Sequence, residues 1–200
     1  MNRIIKVATA FLFFYLIYGA LAYAQKSLPA NSFNYDKSVS GISLQNRKST
    51  SLVLGNSVWE KRFEKDDDFG FIRVECLNVN AKQLLRIGFF EGGTKNEVQV
   101  FQVSYKPKTY DLSSKTVKTK IPEFITGLKI KLGMSEQQVM KTVGDNCKVS
   151  GSKGLKVLNW HTTDAKSSVL KNYQAIGYFI EGKFNSKDQL VEYSFGFDYP

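Results

Sequence analysis

The stretch Gly127–Gly144, GLKIKLGMSEQQVMKTVG, decides the fold prediction, because it joins a short apolar segment to a helix whose two ends are both marked. Ser135 can cap the helix N-terminus, and Gln138 stands three residues on, where it can bond back to the cap. The apolar stripe of the helix consists of Val139, Met140 and Val143. Gly144 is predicted to end the helix in a left-handed cap. The pattern predicts a short amphipathic helix that leads into strands.

Related stretches occur earlier in the chain at a nearly constant distance. Amphipathic strands resemble one another by chance, which explains one match but not three matches in the same order. We therefore expect that a half-length unit has been duplicated. The matching pairs, at offsets between 86 and 92, are Gly41–Leu44 through Gly55 with Gly127–Leu132 through Gly144, Ile87–Gly92 with Ile176–Gly182, and Val98–Tyr105 with Leu190–Phe197.

Each unit is predicted to open with a short apolar stretch, to continue into a helix and to end in several strands. The first helix is expected at about Ser49–Leu54. The strands predicted in the first unit are Val58–Glu64, Phe69–Leu77, Leu84–Phe90 and Val98–Tyr105. Those predicted in the second unit are Leu155–Trp160, Tyr173–Ile180 and Leu190–Phe197, with a short one near Cys147–Val149.

This order of elements predicts an α+β protein of two tandem modules, each a short helical segment packed on an antiparallel sheet of about four strands. Since one helix covers only one face of a sheet, the opposite face is expected to stay partly open. The predicted divisions are residues 1–24 for a signal peptide, 25–40 for an N-terminal extension, 41–105 for module 1, 106–122 for a basic linker and 123–200 for module 2.

The N-terminus has the pattern of a secretory signal peptide. Arg3 and Lys6 precede the apolar run Val7–Leu21, and a small-x-small triplet predicts cleavage between Ala24 and Gln25. The expected location is therefore periplasmic or secreted, and the alternative is a retained membrane anchor. Cleavage lowers the 28 basic residues to 26, against 18 acidic ones, which leaves a formal charge of +8.

Export also changes the interpretation of the two cysteines. In an oxidising compartment a lone pair of cysteines is usually bonded, so we expect a disulfide between Cys76 and Cys147. Two buried thiols that never meet are the alternative, because the sequence does not give their separation.

The predicted linker is rich in lysine and is bracketed by Pro107 and Pro122. It is interpreted either as a solvated connection or as a basic arm that docks on an anionic surface. Its lysines are Lys106, Lys108, Lys115, Lys118 and Lys120.

The stretch 127–144 resembles the module shared by β-lactamase inhibitor proteins and small outer-membrane-assembly lipoproteins. The resemblance is carried by Leu132-Gly-Met-Ser135, then Val139, then Val143-Gly144. A tandem pair of such modules is similar to the inhibitor proteins, which implies two helix-plus-sheet units whose concave surface grips a partner protein. The resemblance implies a disulfide within each unit, whereas here each unit holds one cysteine. No cysteine near the cleavage point could carry a lipid anchor.

The sequence offers little sign of catalysis. His161 stands near Asp164 without a nucleophile in a recognisable motif, so it is interpreted as a polar surface residue. Asp66–Asp68 lacks the ligand spacing of a calcium loop, and two cysteines with one histidine do not form a zinc set. We therefore expect no enzyme activity, no metal and no cofactor.

We expect instead an exported, inhibitor-like binding protein that contacts a partner protein through an exposed sheet face. The positive charge favours an acidic partner, and nucleic acid is not expected. The alternative is a structural or outer-membrane assembly factor of the cell envelope, with weak contact to an anionic membrane surface through the lysines. Strand aromatics are the candidate anchors, with a core position as the alternative for each: Trp59, Phe71, Phe89, Trp160, Tyr178 and Tyr193.

Overall fold

A computed structural model describes residues 33–55, 64–66, 71–90, 97–110, 115–152 and 154–198 of the chain. Within these residues the chain forms three helices and eleven strands. The helices are α1 (Arg47–Leu54), α2 (Glu136–Val143) and α3 (Ser168–Tyr173). The strands are β1 (Ser38–Val39), β2 (Ile42–Ser43), β3 (Glu64–Asp66), β4 (Phe71–Leu77), β5 (Gln83–Phe90), β6 (Val100–Tyr105), β7 (Val117–Lys118), β8 (Lys148–Ser152), β9 (Leu155–Thr162), β10 (Tyr178–Phe184) and β11 (Leu190–Phe197).

One large sheet contains nine of these strands, in the order β3-β4-β5-β6-β11-β10-β9-β8 with β7 beside β4. β7 runs parallel to β4, and all the other neighbours are antiparallel. β1 and β2 form a separate small hairpin. The strands β3–β6 occupy one side of the sheet and β8–β11 the other, so the pairing of β6 with β11 joins the two sides. The predicted α+β class is confirmed.

The core lies between the helices and one face of the large sheet. Alternate side chains of each strand point to this face. Val139 and Val143 of α2 and Val169 and Leu170 of α3 are buried in the same cluster as these strand residues. The buried strand residues on this face are Val74, Cys76, Leu85, Ile87, Phe89, Phe101, Val103, Leu158, Trp160, Tyr178, Ile180, Phe184, Leu190, Tyr193, Phe195 and Phe197.

The helix α2 forms as the sequence predicts. The Ser135 side chain accepts a hydrogen bond from the Gln138 backbone, and the Gln138 side chain accepts one from the Ser135 backbone. Gly144 ends the helix with a positive φ of 136°, which favours glycine, but its ψ of 158° differs from that of the predicted left-handed helical cap. In the described part of the chain, no helix has both the length and the apolar character needed to cross a bilayer.

The predicted strand Tyr173–Ile180 is wrong in its first half. Residues 168–173 form α3, and β10 begins only at Tyr178. Ser167 precedes α3 without a side-chain capping bond, and Gln174 ends it with a positive φ of 52°. A six-residue helix without a capping bond leaves little trace in the sequence. The predicted strand Val58–Glu64 falls almost wholly outside the described residues, and β3 begins at Glu64.

Residues 33–40, predicted as part of an extension, contribute to the core of the fold. Phe33 and Val39 are buried, and the Ser40 amide donates to the Ile125 carbonyl oxygen at 2.8 Å. Phe33 also lies 6.3 Å from the Tyr178 ring, between ring centres. The first segment of the described chain therefore packs on elements from its second half.

Asp36 is the buried acid of this segment. Its Oδ1 accepts hydrogen bonds from the amides of Lys37 at 3.0 Å and Leu128 at 3.3 Å. Asp36 Oδ2 and the Tyr193 hydroxyl are both buried, and neither has a hydrogen-bond partner among the residues the structure describes. Burial outweighs these hydrogen bonds and raises the pKa of Asp36 from 3.8 to about 6.

We expect Asp36→Asn to remove one component of the pH dependence of stability. With its raised pKa, folded Asp36 keeps a proton that the unfolded chain releases, so the contribution of Asp36 to the free energy of unfolding falls as pH rises from about 4 to 6. The component is on the order of 2–3 kcal/mol. Urea titrations across this range measure it, and the exposed Asp145→Asn variant should keep the wild-type curve. Equal pH dependence in wild type and Asp36→Asn would contradict this account.

The predicted disulfide is wrong, since Cys76 and Cys147 are both free. Cys76 lies on β4, whereas Cys147 directly precedes β8, six strand spacings away across the sheet. That separation is about 29 Å, far beyond the roughly 7 Å limit for bonded cysteines. Burial raises the pKa of both thiols, which lowers their reactivity.

Thiol labelling is expected to separate the two cysteines. Iodoacetamide should modify the half-buried Cys147 in the native protein, whereas the fully buried Cys76 should react only after denaturation. Intact mass measured without reductant should show two alkylated thiols in urea. If the protein takes up iodoacetamide in urea only after reduction, the two cysteines are bonded and this account is contradicted.

Candidate functional site

A row of polar side chains crosses the face of the sheet opposite the core. Each member is the direct cross-strand partner of the next, and six successive strand pairs continue the row across the sheet. We call these seven residues the polar row. In order across the sheet they are Glu75, Arg86, Gln102, Ser194, Glu181, Asn159 and Lys148.

A second row lies beside the polar row on the same face and is less polar. In this row Val100 stands between two glycines, Gly88 on β5 and Gly196 on β11. A Cβ on Gly196 would collide with the Gln99 carbonyl oxygen, so the close approach of β6 and β11 requires glycine there. The members in order are Arg73, Gly88, Val100, Gly196, Phe179 and His161.

Lysine and glutamate pair on the β10–β11 part of this face. Lys183 Nζ lies 2.7 Å from Glu192 Oε1 and 3.5 Å from Glu181 Oε1. Burial alone would lower the pKa of Lys183, but the hydrogen bond and charge of Glu192, with a smaller effect of Glu181, raise it. The ammonium group therefore stays charged and holds the two carboxylates in place.

Glu75 lies at the other end of the polar row and is 5% exposed. Arg86 Nε donates to Glu75 Oε1 at 2.8 Å, and Arg86 Nη1 donates to Gln102 Oε1 at 3.0 Å. The Tyr110 hydroxyl donates to Glu75 Oε2. Burial, followed by this hydrogen bond to Glu75, raises the pKa of Tyr110 to about 12. This network fixes three members of the row.

The predicted linker packs on the sheet instead of forming a purely solvated connection. Tyr110 reaches Glu75, β7 pairs with Cys76 and Leu77, and Thr119 donates to the Leu77 carbonyl oxygen at 2.9 Å. The buried Leu84, on the same face as Glu75, is accordingly shielded at this end. The polar row is therefore covered at Glu75, whereas from Arg86 to Lys148 its members range from half-buried to exposed.

Four of the six predicted aromatic anchors are wrong as exposed contacts, because they lie on the helix-covered face. Phe89, Trp160, Tyr178 and Tyr193 are at most 2% exposed. The Trp160 indole donates to the Gly144 carbonyl oxygen at 2.8 Å, and the Tyr178 hydroxyl donates to that of Asp36 at 2.6 Å. Strand alternation indicates which side chains of one strand share a face of the sheet, but it does not indicate which face the helices cover.

The remaining two anchors are not tested. Trp59 lies outside the described residues, and Phe71 is described only as the first residue of β4.

His161 lies at the edge of the open face and pairs with Asp198 instead of Asp164. His161 Nε2 is 2.7 Å from Asp198 Oδ2, and both side chains are partly exposed. Asp164 accepts from the Lys166 amide at 2.9 Å and so organises its own loop. A Cβ on Gly177 would meet the Asp198 carboxylate, so a side chain there would displace Asp198 from its present position. Among the described side chains, no three His, Cys, Asp or Glu residues form a group that could hold a metal ion.

The charges of the open face are nearly balanced. Among the side chains that the structure describes, four are positive and four are negative: Arg73, Arg86, Lys183 and Lys148, and Glu75, Glu181, Glu192 and Asp198. The excess positive charge of the chain therefore lies mostly elsewhere.

Much of that excess collects at one end of the sheet, which we call the lysine end. It consists of the described residues 78–82, 105–110 and 115–122, which include six lysines and no acidic residue; the connecting residues 111–114, with Asp111, lie outside the described part of the chain. The six are Lys82, Lys106, Lys108, Lys115, Lys118 and Lys120. Five of them lie in the predicted linker, whereas Lys82 precedes the linker by more than twenty residues.

Comparison with known proteins gave no matching family model, no similar curated protein and no similar solved structure.

We expect Tyr110→Phe to destabilise the protein by about 1–3 kcal/mol, because it leaves a buried carboxylate oxygen of Glu75 without its donor. Urea unfolding measures the change. The matched variant Tyr105→Phe removes a hydroxyl from a side chain that is 46% exposed and should stay within about 0.5 kcal/mol of wild type. Equal stabilities for the two variants would show that Tyr110 does not hold the linker on the sheet.

Proposed function

We propose that this protein is a non-enzymatic binding protein that contacts a partner protein through its open sheet face. The observation that carries the proposal is the polar row, whose members from Arg86 to Lys148 stand opposite one another on six adjacent strands and remain at least partly accessible. Adjacent strands hold these side chains at fixed spacings, and a rigid patch loses little entropy when it binds.

The size of the row supports a protein rather than a small molecule as the partner. Five strand spacings separate Arg86 from Lys148, a length of about 24 Å. A standard protein interface buries about 800 Å² on each partner, which corresponds to a patch roughly 28 Å across. The adjacent Val100 and Phe179 add apolar area to the polar contacts.

We also propose that the fold consists of two tandem modules, one on each side of the β6–β11 pairing. The helices α1 and α2 support this proposal, since both have eight residues and all their boundaries are separated by 89 residues. Asn46 caps α1 by accepting from the amide three residues on, as Ser135 caps α2. Gly55 and Gly144 end the two helices with positive φ and extended ψ.

The central strands give independent support. The β6–β11 ladder runs from Val100 opposite Gly196 to Ser104 opposite Glu192, and its middle pair is Gln102 with Ser194. These two residues are 92 apart, which equals the sequence offset of the last matching stretches. A local two-fold relation between duplicated strands would centre the ladder on such a pair.

The remaining sequence match, Ile87–Gly92 with Ile176–Gly182, does not support duplication. Ile87 is buried in the middle of β5, whereas Ile176 is 59% exposed and precedes β10. Their strands therefore do not align at the offset that the sequence suggested.

The remaining parts of the proposal rest on the sequence. The resemblance of 127–144 to the β-lactamase inhibitor module motivates an inhibitor-like role, and the residues 1–24 motivate a periplasmic or secreted location. The balanced charge of the open face favours a partner of mixed polarity there, rather than the acidic partner that the net charge of the chain suggested.

We expect Ser194→Arg to weaken partner binding at least tenfold, because it places a long charged side chain at the centre of the polar row. Ser168→Arg makes the same change on the exposed start of α3, on the covered side of the sheet, and should bind as wild type. The partner is isolated on wild-type protein from envelope extract, purified, and titrated against each variant by calorimetry.

Thermal melts of both variants establish that they are folded. Unchanged affinity in Ser194→Arg, or a wild-type protein that forms no stoichiometric complex, would contradict the proposal.

A further inference from the structure

The lysine end is assembled from three separate segments by backbone hydrogen bonds. The Lys106 amide donates to the Lys82 carbonyl oxygen at 2.9 Å, which joins the end of β6 to the start of β5. The Val79 amide donates to the Ile121 carbonyl oxygen at 2.8 Å, which joins the β4–β5 turn to the segment after β7. The lysines are therefore gathered by the fold and not by their order in the chain.

The side chains at this end are accessible. Lys82, Lys108, Lys118 and Lys120 are all exposed. Lys106 is half-buried, with its Nζ 6.0 Å from the centre of the Tyr110 ring. Glu123, which directly follows the last segment, pairs with Lys131 Nζ at 3.3 Å.

Two large apolar side chains lie in the open among these lysines. Val79, in the turn between β4 and β5, is 61% exposed, and Tyr105, at the end of β6, is 46% exposed. Exposed aliphatic and aromatic side chains next to lysines match the layering of a bilayer surface, where headgroup phosphates lie just outside the hydrocarbon.

We infer that the lysine end binds an anionic lipid surface. Its cations are all lysines, which act as mobile point charges, whereas recognition of fixed carboxylates on a protein favours the planar fork of arginine. A diffuse anionic surface attracts clustered lysines without requiring defined partners, and each contributes about fivefold to the partition coefficient. This inference does not depend on the role proposed for the open face.

Vesicle sedimentation tests the inference. The full chain should bind vesicles of phosphatidylcholine that contain about one third phosphatidylglycerol more tightly than neutral phosphatidylcholine vesicles, and salt should reduce the difference. The apolar run Val7–Leu21 is the same in every variant, so it contributes equally to the partition coefficients of wild type and variants on the same vesicles.

The triple variant Lys82→Gln, Lys118→Gln, Lys120→Gln should lower the partition coefficient on anionic vesicles about 100-fold. The matched triple variant Lys141→Gln, Lys166→Gln, Lys171→Gln removes the same charge from exposed positions on or near α2 and α3. It should lower the partition coefficient less than about fivefold. Val79→Ser should lower it a few-fold through lost apolar contact.

Three results would overturn the inference. They are equal losses in the two triple variants, wild-type binding that does not distinguish the two vesicles, and binding to polyglutamate without binding to anionic vesicles, which would indicate an acidic protein. Ser194→Arg should leave vesicle binding unchanged, so failure of the lipid inference and failure of the proposed partner interface are distinguishable.

Discussion

The antiparallel pairing of β6 with β11 is the interaction on which the rest of the structure depends. It brings Phe101 opposite Phe195, with 5.3 Å between their ring centres, and makes one sheet from strands of both halves of the chain. Because the core side of that sheet is covered by all three helices, its polar side chains come together on the other side. The polar row exists only because the register of this pairing connects Gln102 to Ser194.

Local patterns in the sequence predicted the elements whose determinants are local. The range Leu190–Phe197 is the strand that alternation indicates, and Ser135 and Gln138 form the reciprocal cap that their spacing indicates. α3 was missed because no side chain caps it. The order of strands and the separation of the cysteines depend on contacts between residues far apart in the chain, which no local pattern contains.

The sequence predicted an open sheet face, but the residues predicted for it were aromatics, and four of the six are buried on the other face. The alternation of β11 places Tyr193, Phe195 and Phe197 on one side of the strand, but only the positions of the helices show that this side is the buried one. Large aromatic side chains suit both a core and an interface, whereas the polar residues between them are left for the solvent-facing side. The intervening positions, such as Ser194 and Glu192, were therefore the better indication of the accessible surface. Lys82 was missed because it joins the lysine end only through the β5–β6 hairpin.

The most direct test of the single, two-sided sheet is a set of nuclear Overhauser effects between the backbones of β6 and β11 in solution. The structure predicts antiparallel cross-strand contacts from Val100 opposite Gly196 to Ser104 opposite Glu192, centred on Gln102 and Ser194. Absence of these contacts in a folded sample, or a different register between the two strands, would contradict the continuous sheet and with it the polar row.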